Sequence, residues 1–456
     1  MERNLQCNFT FKVSKNLDIG NNPARPRASV QALGCRLNQY EGLSIEGKLR
    51  DAGYDVVPFG EKADLGVINT CTVTNEADSK SRNAIRRFNR QNPDSLTVVV
   101  GCYSQTSANE VAMVEGVDYV IGNHDKMNFL DYLSEEKPET PVIIRERIDR
   151  SDFSVGYVGE VEFAQRANLK IQDGCDFMCS FCVIPFARGR ARSRDWHDLF
   201  AEAKQMIGKG VREIVLTGVN LGTYSSNGKN FLSLVDSIGA LNDLERLRIS
   251  SIEPTTIPVE LFQMMKDSRH PLMPYLHVPM QSGCDKILGL MKRKYNLQEM
   301  EDFFADAVDS VPEICLGTDM LTGFPGESEA DFDKTCETFM RLPFSYCHVF
   351  TYSERAGTVA FKSKDHIPML QRRERSSRLR RLSASKKMEW HKSFEGREVR
   401  VLIENPKHGF YGGYTENYLK LMVPDGGGDI ANKFVKVKVG EARPEYCLGK
   451  LLEIEQ

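Results

Sequence analysis

No apolar run in this chain approaches the roughly 18 residues that a membrane span requires. The opening residues MERNLQCNFTFKVSK also lack the apolar stretch of a secretory signal. The chain therefore reads as soluble and cytoplasmic. Net charge is lacking too: 60 basic residues stand against 63 acidic ones, so charge as a whole argues for no polyanionic partner. In a reducing compartment the twelve cysteines do not serve as disulfides. Clustered cysteines become candidate metal ligands there, and scattered ones become core residues.

What is present is length and alternation. At roughly 100 to 200 residues per domain, 456 residues make two to four domains. Residues 1–26 are polar, include Cys7 and the stretch NNPARPR, and read as a loosely ordered leader. Strand-like and helix-like segments then alternate, the sign of parallel βα units. ASVQAL leads into Gly34-Cys35, ADLGVIN into Thr70-Cys71, and LTVVV into Gly101-Cys102. Each cysteine follows a strand, at the sheet edge where ligands bind in open α/β folds, so the three are expected to meet in space. This N-terminal Rossmann or flavodoxin-like domain is expected over 27–137, with a linker or irregular crossover over 138–160.

A second series over 161–390 offers six strands: ANLKIQ, REIVLTG, ERLRISS, PYLHVPM, ICLGTDML and YCHVFTY. Six such units suit a partial (β/α)6 barrel better than a small flat sheet, although periodicity alone does not separate the two. From Gln371 to Lys392, nine Lys and Arg are opposed only by Glu374 and Glu389. Residues 391–456 then show period-two segments and Gly-rich turns, expected to form a small antiparallel β-barrel.

The sharpest local signal is KIQDGCDFMCSFCVIP, which offers Cys175, Cys179 and Cys182. A structural zinc site wants four ligands, and no second Cys-x2-Cys knuckle supplies the fourth. A 4Fe-4S cluster on three cysteines keeps one iron open for a small molecule. With Phe181 before the third cysteine, at the head of a six-unit βα series, the motif resembles the radical S-adenosylmethionine superfamily. That resemblance implies a 4Fe-4S cluster whose open iron binds S-adenosylmethionine. It also implies a cofactor wall that includes Phe181, Glu253 in SSIEP, Gln281 in VPMQSG, and Asp319 and Gly323 in GTDMLTGFPGE. On their residues alone, Glu253 and Gln281 are equally ordinary caps of βα loops.

Together with the N-terminal cysteines and the terminal barrel, the chain resembles the methylthiotransferases over about residues 28–456. The resemblance implies an auxiliary 4Fe-4S cluster on Cys35, Cys71 and Cys102, carried by ALGCRLNQYE, INTCTVTNEAD and GCYSQ, and a TRAM RNA-binding barrel. It further implies methylation of an extra sulfur by one S-adenosylmethionine and radical cleavage of a second, with no catalytic residue beyond the cluster ligands. The motifs look most like the branch that modifies C2 of N6-threonylcarbamoyladenosine 37 (t6A37) in the tRNA anticodon stem-loop. Relatives acting on isopentenyladenosine 37 or on a ribosomal-protein aspartate share the cysteine plan. A noncatalytic metal-containing RNA-binding protein is the alternative of another class. The electron donor would be a flavodoxin or ferredoxin, while the sulfur donor is not legible.

Substrate or RNA contacts are expected from Arg188, Arg190, Arg192 and Arg194, for which a solvent-facing basic loop is the equal alternative. Arg372, Arg373, Arg378, Arg380 and Arg381 suit a phosphate backbone. Cys284, Cys315, Cys336, Cys347 and Cys447 are expected in the core. His277 and His348 are expected as packed core or barrel-interior residues.

Overall fold

The computed structural model describes residues 25–134, 136–155 and 166–455. The expected leader, with Cys7, lies outside the described residues except for Arg25 and Pro26. The last five positions of the expected linker and the first five of the expected second series also lie outside them.

Strands β1 (Arg27–Ala32), β2 (Asp55–Val56), β3 (Leu65–Thr70), β4 (Leu96–Gly101), β5 (Tyr119–Ile121) and β6 (Val142–Ile144) form one parallel sheet in the order β2-β1-β3-β4-β5-β6. Its central strand β3 is buried at every position, as a sheet covered on both faces requires. Alternation assigns the faces: Val67, Val98 and Val100 join Ile45, Leu49 and Phe129 on one side, while Ile68 and Val99 join Ile85 and Tyr103 on the other. β6 corrects the sequence expectation, because it falls within the stretch read as linker yet pairs in parallel with β5. Three edge residues, two of them exposed, leave no alternation to read.

The second series contributes β7 (Arg166–Lys170), the short pair β8 (Gln172–Asp173) and β9 (Arg192–Ser193), β10 (Glu213–Thr217), and the hairpin β11 (Ser225–Ser226) and β12 (Lys229–Asn230). It continues with β13 (Arg246–Ile249), β14 (Tyr275–His277), β15 (Cys315–Thr322) and β16 (Tyr346–Thr351). β13-β10-β7 and β14-β15-β16 are parallel sheets. At their seam Leu247 N–H donates to Pro271 O at 2.7 Å and Met273 N–H to Leu247 O at 2.9 Å. The seam ladder is short because Pro271 and Pro274 have no N–H to give. The six strands thus curve as the partial barrel expected, around a core that includes Leu169, Leu216, Ile249, Leu276, Leu316 and Met320.

β17 (Glu398–Lys407), β18 (Phe410–Thr415), β19 (Lys420–Pro424), β20 (Phe434–Ala442) and β21 (Cys447–Ile454) close into a barrel in the order β17-β18-β19-β21-β20. Val401, Ile403, Leu421, Val435, Val437 and Cys447 fill it.

The basic tract is a single helix, Met369–Lys392, packed on β16. Here the expectation of a phosphate-facing stripe needs correction. Arg372 is buried, paired with Glu354 at 2.5 Å and donating to Ile367 O at 2.6 Å. Arg378 pairs with Asp333 at 2.6 Å. Arg378, like Arg373, Arg380 and Arg381, is exposed. The packed face is built from Arg372, Arg375, Ser376, Leu379 and Ser383, so an apolar stripe was never there to reveal which arginines turn inward.

Candidate active site

Cys35, Cys71 and Cys102 follow the C-terminal ends of β1, β3 and β4, where neighbouring loops converge. Gly34 permits that convergence. Its φ is +90°, and a Cβ there would lie 2.5 Å from Cβ and 2.6 Å from Sγ of Cys71. Asn123 Nδ2 donates toward Cys102 Sγ at 3.5 Å. Cys35 and Cys102 both lie close enough to the Cys71 thiol to oppose its ionisation.

The second triplet sits in the loop between β8 and β9. Gly174, at φ +70°, opens it, since a Cβ there would meet Arg190 O at 2.0 Å. Cys182 N–H donates to Cys179 O at 3.1 Å, Phe177 N–H to Cys175 Sγ at 3.5 Å, and Arg293 Nη1 to Cys179 Sγ at 3.1 Å. Burial pushes the thiols of Cys71 and Cys182 up to about 12. Such groups stay protonated until a metal centre draws them as thiolates.

Three thiolates on one zinc ion, each at about 2.3 Å, stand no more than about 4.6 Å apart. Among the described residues neither cysteine triplet is that compact. Three thiols in each set fall one ligand short of a closed zinc site and are the donor type that an iron-sulfur cluster takes.

Both sets open on one cavity of about 870 Å³, lined by Cys35 and Cys71 from the first domain and by Phe181 and Cys182 from the second. That volume lies within the range of small-molecule sites, about 300 to 1,000 Å³. Glu253, Gln281 and Asp319 line it as well. Glu253 pairs with Arg293, and burial raises its carboxyl above the ordinary range despite that partner. Gln281, at φ +68°, donates its N–H to Asp319 O at 2.8 Å. Phe181 packs edge-on to Phe324, with ring centroids 6.2 Å apart. Gly323 departs from its expected place: the space above its Cα is taken by Arg372, 2.5 Å from where a Cβ would stand, so it backs onto the helix and not the cavity.

One group in the wall went unread as a group. His277 Nε2 lies 2.8 Å and His348 Nδ1 3.3 Å from the same Asp319 oxygen, and the two rings stack at 5.1 Å. Burial alone would push the Asp319 carboxyl up, but the two imidazoles outweigh it and hold it well below the usual carboxylate range. His277 is barrel-interior, as expected. His348 is not packed core, for its side chain is 61% exposed and lines the cavity. The signal lay in register: β14, β15 and β16 are adjacent parallel strands, and Asp319 and His348 are directly paired across them.

The four arginines after the cysteine loop also depart from expectation. Arg188 is fully buried, donating to Glu41 and Asp173 at 2.9 to 3.2 Å and to Asn38 at 2.5 Å. Glu41, on the helix Arg36–Asp51, also takes Lys126 at 2.5 Å and Lys170 at 2.8 Å. Arg194 is buried between Glu202 and Asp198, beside the Tyr40 hydroxyl. Arg192 lies 3.7 Å from Asp173. Only Arg190 of the four is more than a third exposed, and it faces Asp176 at 3.5 Å. Arg188 and Arg194 thus reach partners in the first domain, Arg192 pairs within the second, and Arg190 stays at the surface. The alternating arginines carried no mark of their partners, which lie up to 154 residues away.

Comparison with known proteins agrees with this geometry. Residues 27–122 match the uncharacterized protein family UPF0004, 169–339 the radical SAM superfamily, and 392–452 the TRAM domain. The threonylcarbamoyladenosine tRNA methylthiotransferase MtaB of Bacillus subtilis is 36% identical over 93% of this chain and 96% of its own. MtaB of Aquifex aeolicus is 37% identical over 87% and 96%. A tRNA-2-methylthio-N(6)-dimethylallyladenosine synthase of Anaplasma phagocytophilum is 30% identical over 93% and 98%. Among solved structures, the radical S-adenosylmethionine methyltransferase TsrM of Kitasatospora setae shares the fold. Its TM-score is 0.56 at 17% identity, over 74% of this chain and 77% of that one. Two three-thiol sets on one cavity, on a barrel of this fold and with relatives of this identity over nearly full length, place the chain: it belongs to the MtaB-type family of radical S-adenosylmethionine methylthiotransferases.

Proposed function

We propose that this chain transfers a methylthio group to C2 of N6-threonylcarbamoyladenosine 37 in tRNA, in the cytoplasm. The observation that carries this reading is the single cavity of about 870 Å³ on which both cysteine sets open. A transfer that unites a carbon radical with a sulfur donor needs both held around one substrate. Membership of a transferase family removes the noncatalytic alternative. For the nucleoside, relatives named for threonylcarbamoyladenosine span 32 to 37% identity, against 29 to 30% for those named for dimethylallyladenosine.

In this reading Cys175, Cys179 and Cys182 hold the cluster that binds S-adenosylmethionine, with Phe181, Glu253, Gln281 and Asp319 around the cofactor. Cys35, Cys71 and Cys102 hold the auxiliary cluster. When bound, the two 4Fe-4S clusters supply reductive cleavage of S-adenosylmethionine and a site for the transferred sulfur. The chain's own residues do the rest. Arg293 donates to the Cys179 sulfur and fixes Glu253 at the wall. The Glu41 junction holds the two cysteine-bearing domains in one orientation. The TRAM barrel and the exposed Arg373, Arg380 and Arg381 offer tRNA phosphates their contacts.

Nucleoside mass spectrometry of tRNA from a deletion strain tests the substrate. Loss of the methylthio group from the threonylcarbamoyl nucleoside, restored by the gene, is expected. Its retention, with loss from isopentenyladenosine or a ribosomal aspartate, would move the chain to a sister branch. In the purified enzyme, replacing Cys175, Cys179 and Cys182 with Ala is expected to abolish 5′-deoxyadenosine release while about four irons per chain remain.

A further inference from the structure

The cavity on which both cysteine sets open is lined by four residues that can carry positive charge, Arg36, Arg188, His277 and His348. Three of them are already answered by acids. Arg188 is held by Glu41 and Asp173, and both imidazoles are turned to Asp319. The other acid of the wall, Glu253, pairs with Arg293. Arg36 is left over.

Arg36 is half-buried and follows Cys35 directly. Among the described residues its side chain has one hydrogen-bond partner, the Tyr418 hydroxyl, which accepts from Nη2 at 2.8 Å and brings no charge. That contact steadies the guanidinium, since the Tyr418 ring rests on Tyr275, itself part of the cavity wall. A like charge, Arg166, acts on Arg36 from nearby and is occupied by Glu213 and Glu404 at 3.9 and 3.6 Å. Nε and Nη1 of Arg36 have no described partner and are not sealed from solvent. A guanidinium presents its N–H donors in a planar fork that matches a carboxylate. Drawing it partly out of water without a counter-charge is unfavourable, and an anion entering the cavity relieves that.

We propose that Arg36 is a specificity-determining residue that binds the carboxylate of the threonylcarbamoyl group. This rests on the proposed function, in which the nucleoside carries that carboxylate on its N6 substituent. Isopentenyladenosine offers only hydrocarbon there. The reacting base has to lie between the two cysteine sets, so an anion borne by the base reaches this wall with it, whereas a phosphate is held back by the ribose. A nucleoside without the carboxylate leaves the guanidinium unanswered and is disfavoured for that reason.

Three anticodon stem-loop RNAs serve as probes, carrying at position 37 adenosine, N6-threonylcarbamoyladenosine, or the methyl ester of the latter, which removes the charge. Their binding to the reconstituted full chain, without S-adenosylmethionine, is followed by fluorescence anisotropy. The wild type is expected to bind the free acid at least about tenfold more tightly than the ester, the effect of one charge-assisted pair. Arg36→Gln should bring that ratio to within about twofold of unity by weakening the acid alone, and its retained affinity for the adenosine loop shows it folded. In the wild type, modification of Arg36 by phenylglyoxal, read by peptide mass spectrometry, should be blocked by the acid and not by the ester, which tests the contact without any variant. A wild type that does not prefer the acid overturns the proposal, as does Arg36→Gln with the preference intact. Equal weakening of all three loops in Arg36→Gln also overturns it and gives Arg36 to a phosphate. A wild type that makes methylthio product from an isopentenyladenosine loop and none from the threonylcarbamoyl loop would instead overturn the proposed function, and the acid-to-ester ratio would still decide Arg36.

Discussion

Arg36 donates through Nη2 to the hydroxyl of Tyr418 at 2.8 Å, joining residues 382 positions apart. Arg36 follows Cys35 directly, and Tyr418 sits in the turn between β18 and β19 of the terminal barrel. The Tyr418 ring stands 4.4 Å from that of Tyr275, whose hydroxyl meets the Tyr346 hydroxyl at 2.8 Å beneath His277. All three domains therefore meet under the cavity floor. Tyr418 holds φ +66° there, a strained value for a tyrosine that its surroundings over-determine.

Tyr418→Phe keeps the ring contacts and removes the acceptor for Arg36. It is expected to destabilise the chain by about 1 to 3 kcal/mol, the cost of leaving a charged donor unpaired. Urea unfolding measures this, and an unchanged midpoint would show that Arg36 finds another partner.

Glu41→Gln leaves Lys126, Lys170 and Arg188 without their shared carboxylate. For a fully buried cluster the expected loss is about 3 to 5 kcal/mol, read by thermal unfolding. Burial alone would raise the Glu41 carboxyl, but the three cations outweigh it and hold it well below the ordinary range. The sign follows from that depression. The stabilisation is complete above the unfolded value near about 4.3 and is lost as pH falls toward the folded one. The wild type should therefore lose more stability than Glu41→Gln between neutral and acidic pH.

Gly34→Ala places a methyl group 2.5 Å from Cβ of Cys71 at a φ that L side chains rarely adopt. The loops bearing Cys35 and Cys71 must then separate. Reconstituted enzyme is expected to carry about four irons instead of about eight and to keep reductive cleavage of S-adenosylmethionine. Full iron content in the variant would mean that the first domain adapts.

Asp319→Asn preserves shape and removes the charge shared by His277 and His348. Charge-assisted hydrogen bonds contribute about 1.5 to 3 kcal/mol each, so product formation should fall by about tenfold or more. Assaying tRNA product and 5′-deoxyadenosine separately tells which partner of the wall is lost. Equal loss of both points to the cofactor, and loss of product alone to the nucleoside.

The chain's order of elements was legible because each βα unit carries its own local pattern. ASVQAL before Gly34-Cys35 and LTVVV before Gly101-Cys102 are strands by their apolar runs, and the cysteines after them must gather at one sheet edge. The same holds for Cys175, Cys179 and Cys182, whose spacing within one loop is a local property. By itself the sequence therefore determined the two three-thiol sets, the order of the βα units and the terminal barrel, while the choice between a partial barrel and a flat sheet stayed open to periodicity. Tertiary structure alone decided where the charges went. Arg188, Arg194 and Arg372 look alike in sequence to Arg190, Arg373 and Arg380. Only packing against Glu41, Glu202 and Glu354 makes the first three buried partners and leaves the others on the surface. It also brought His277, Asp319 and His348 onto one wall, since the pairing of β14 with β15 and β16 is non-local and no window of sequence contains it.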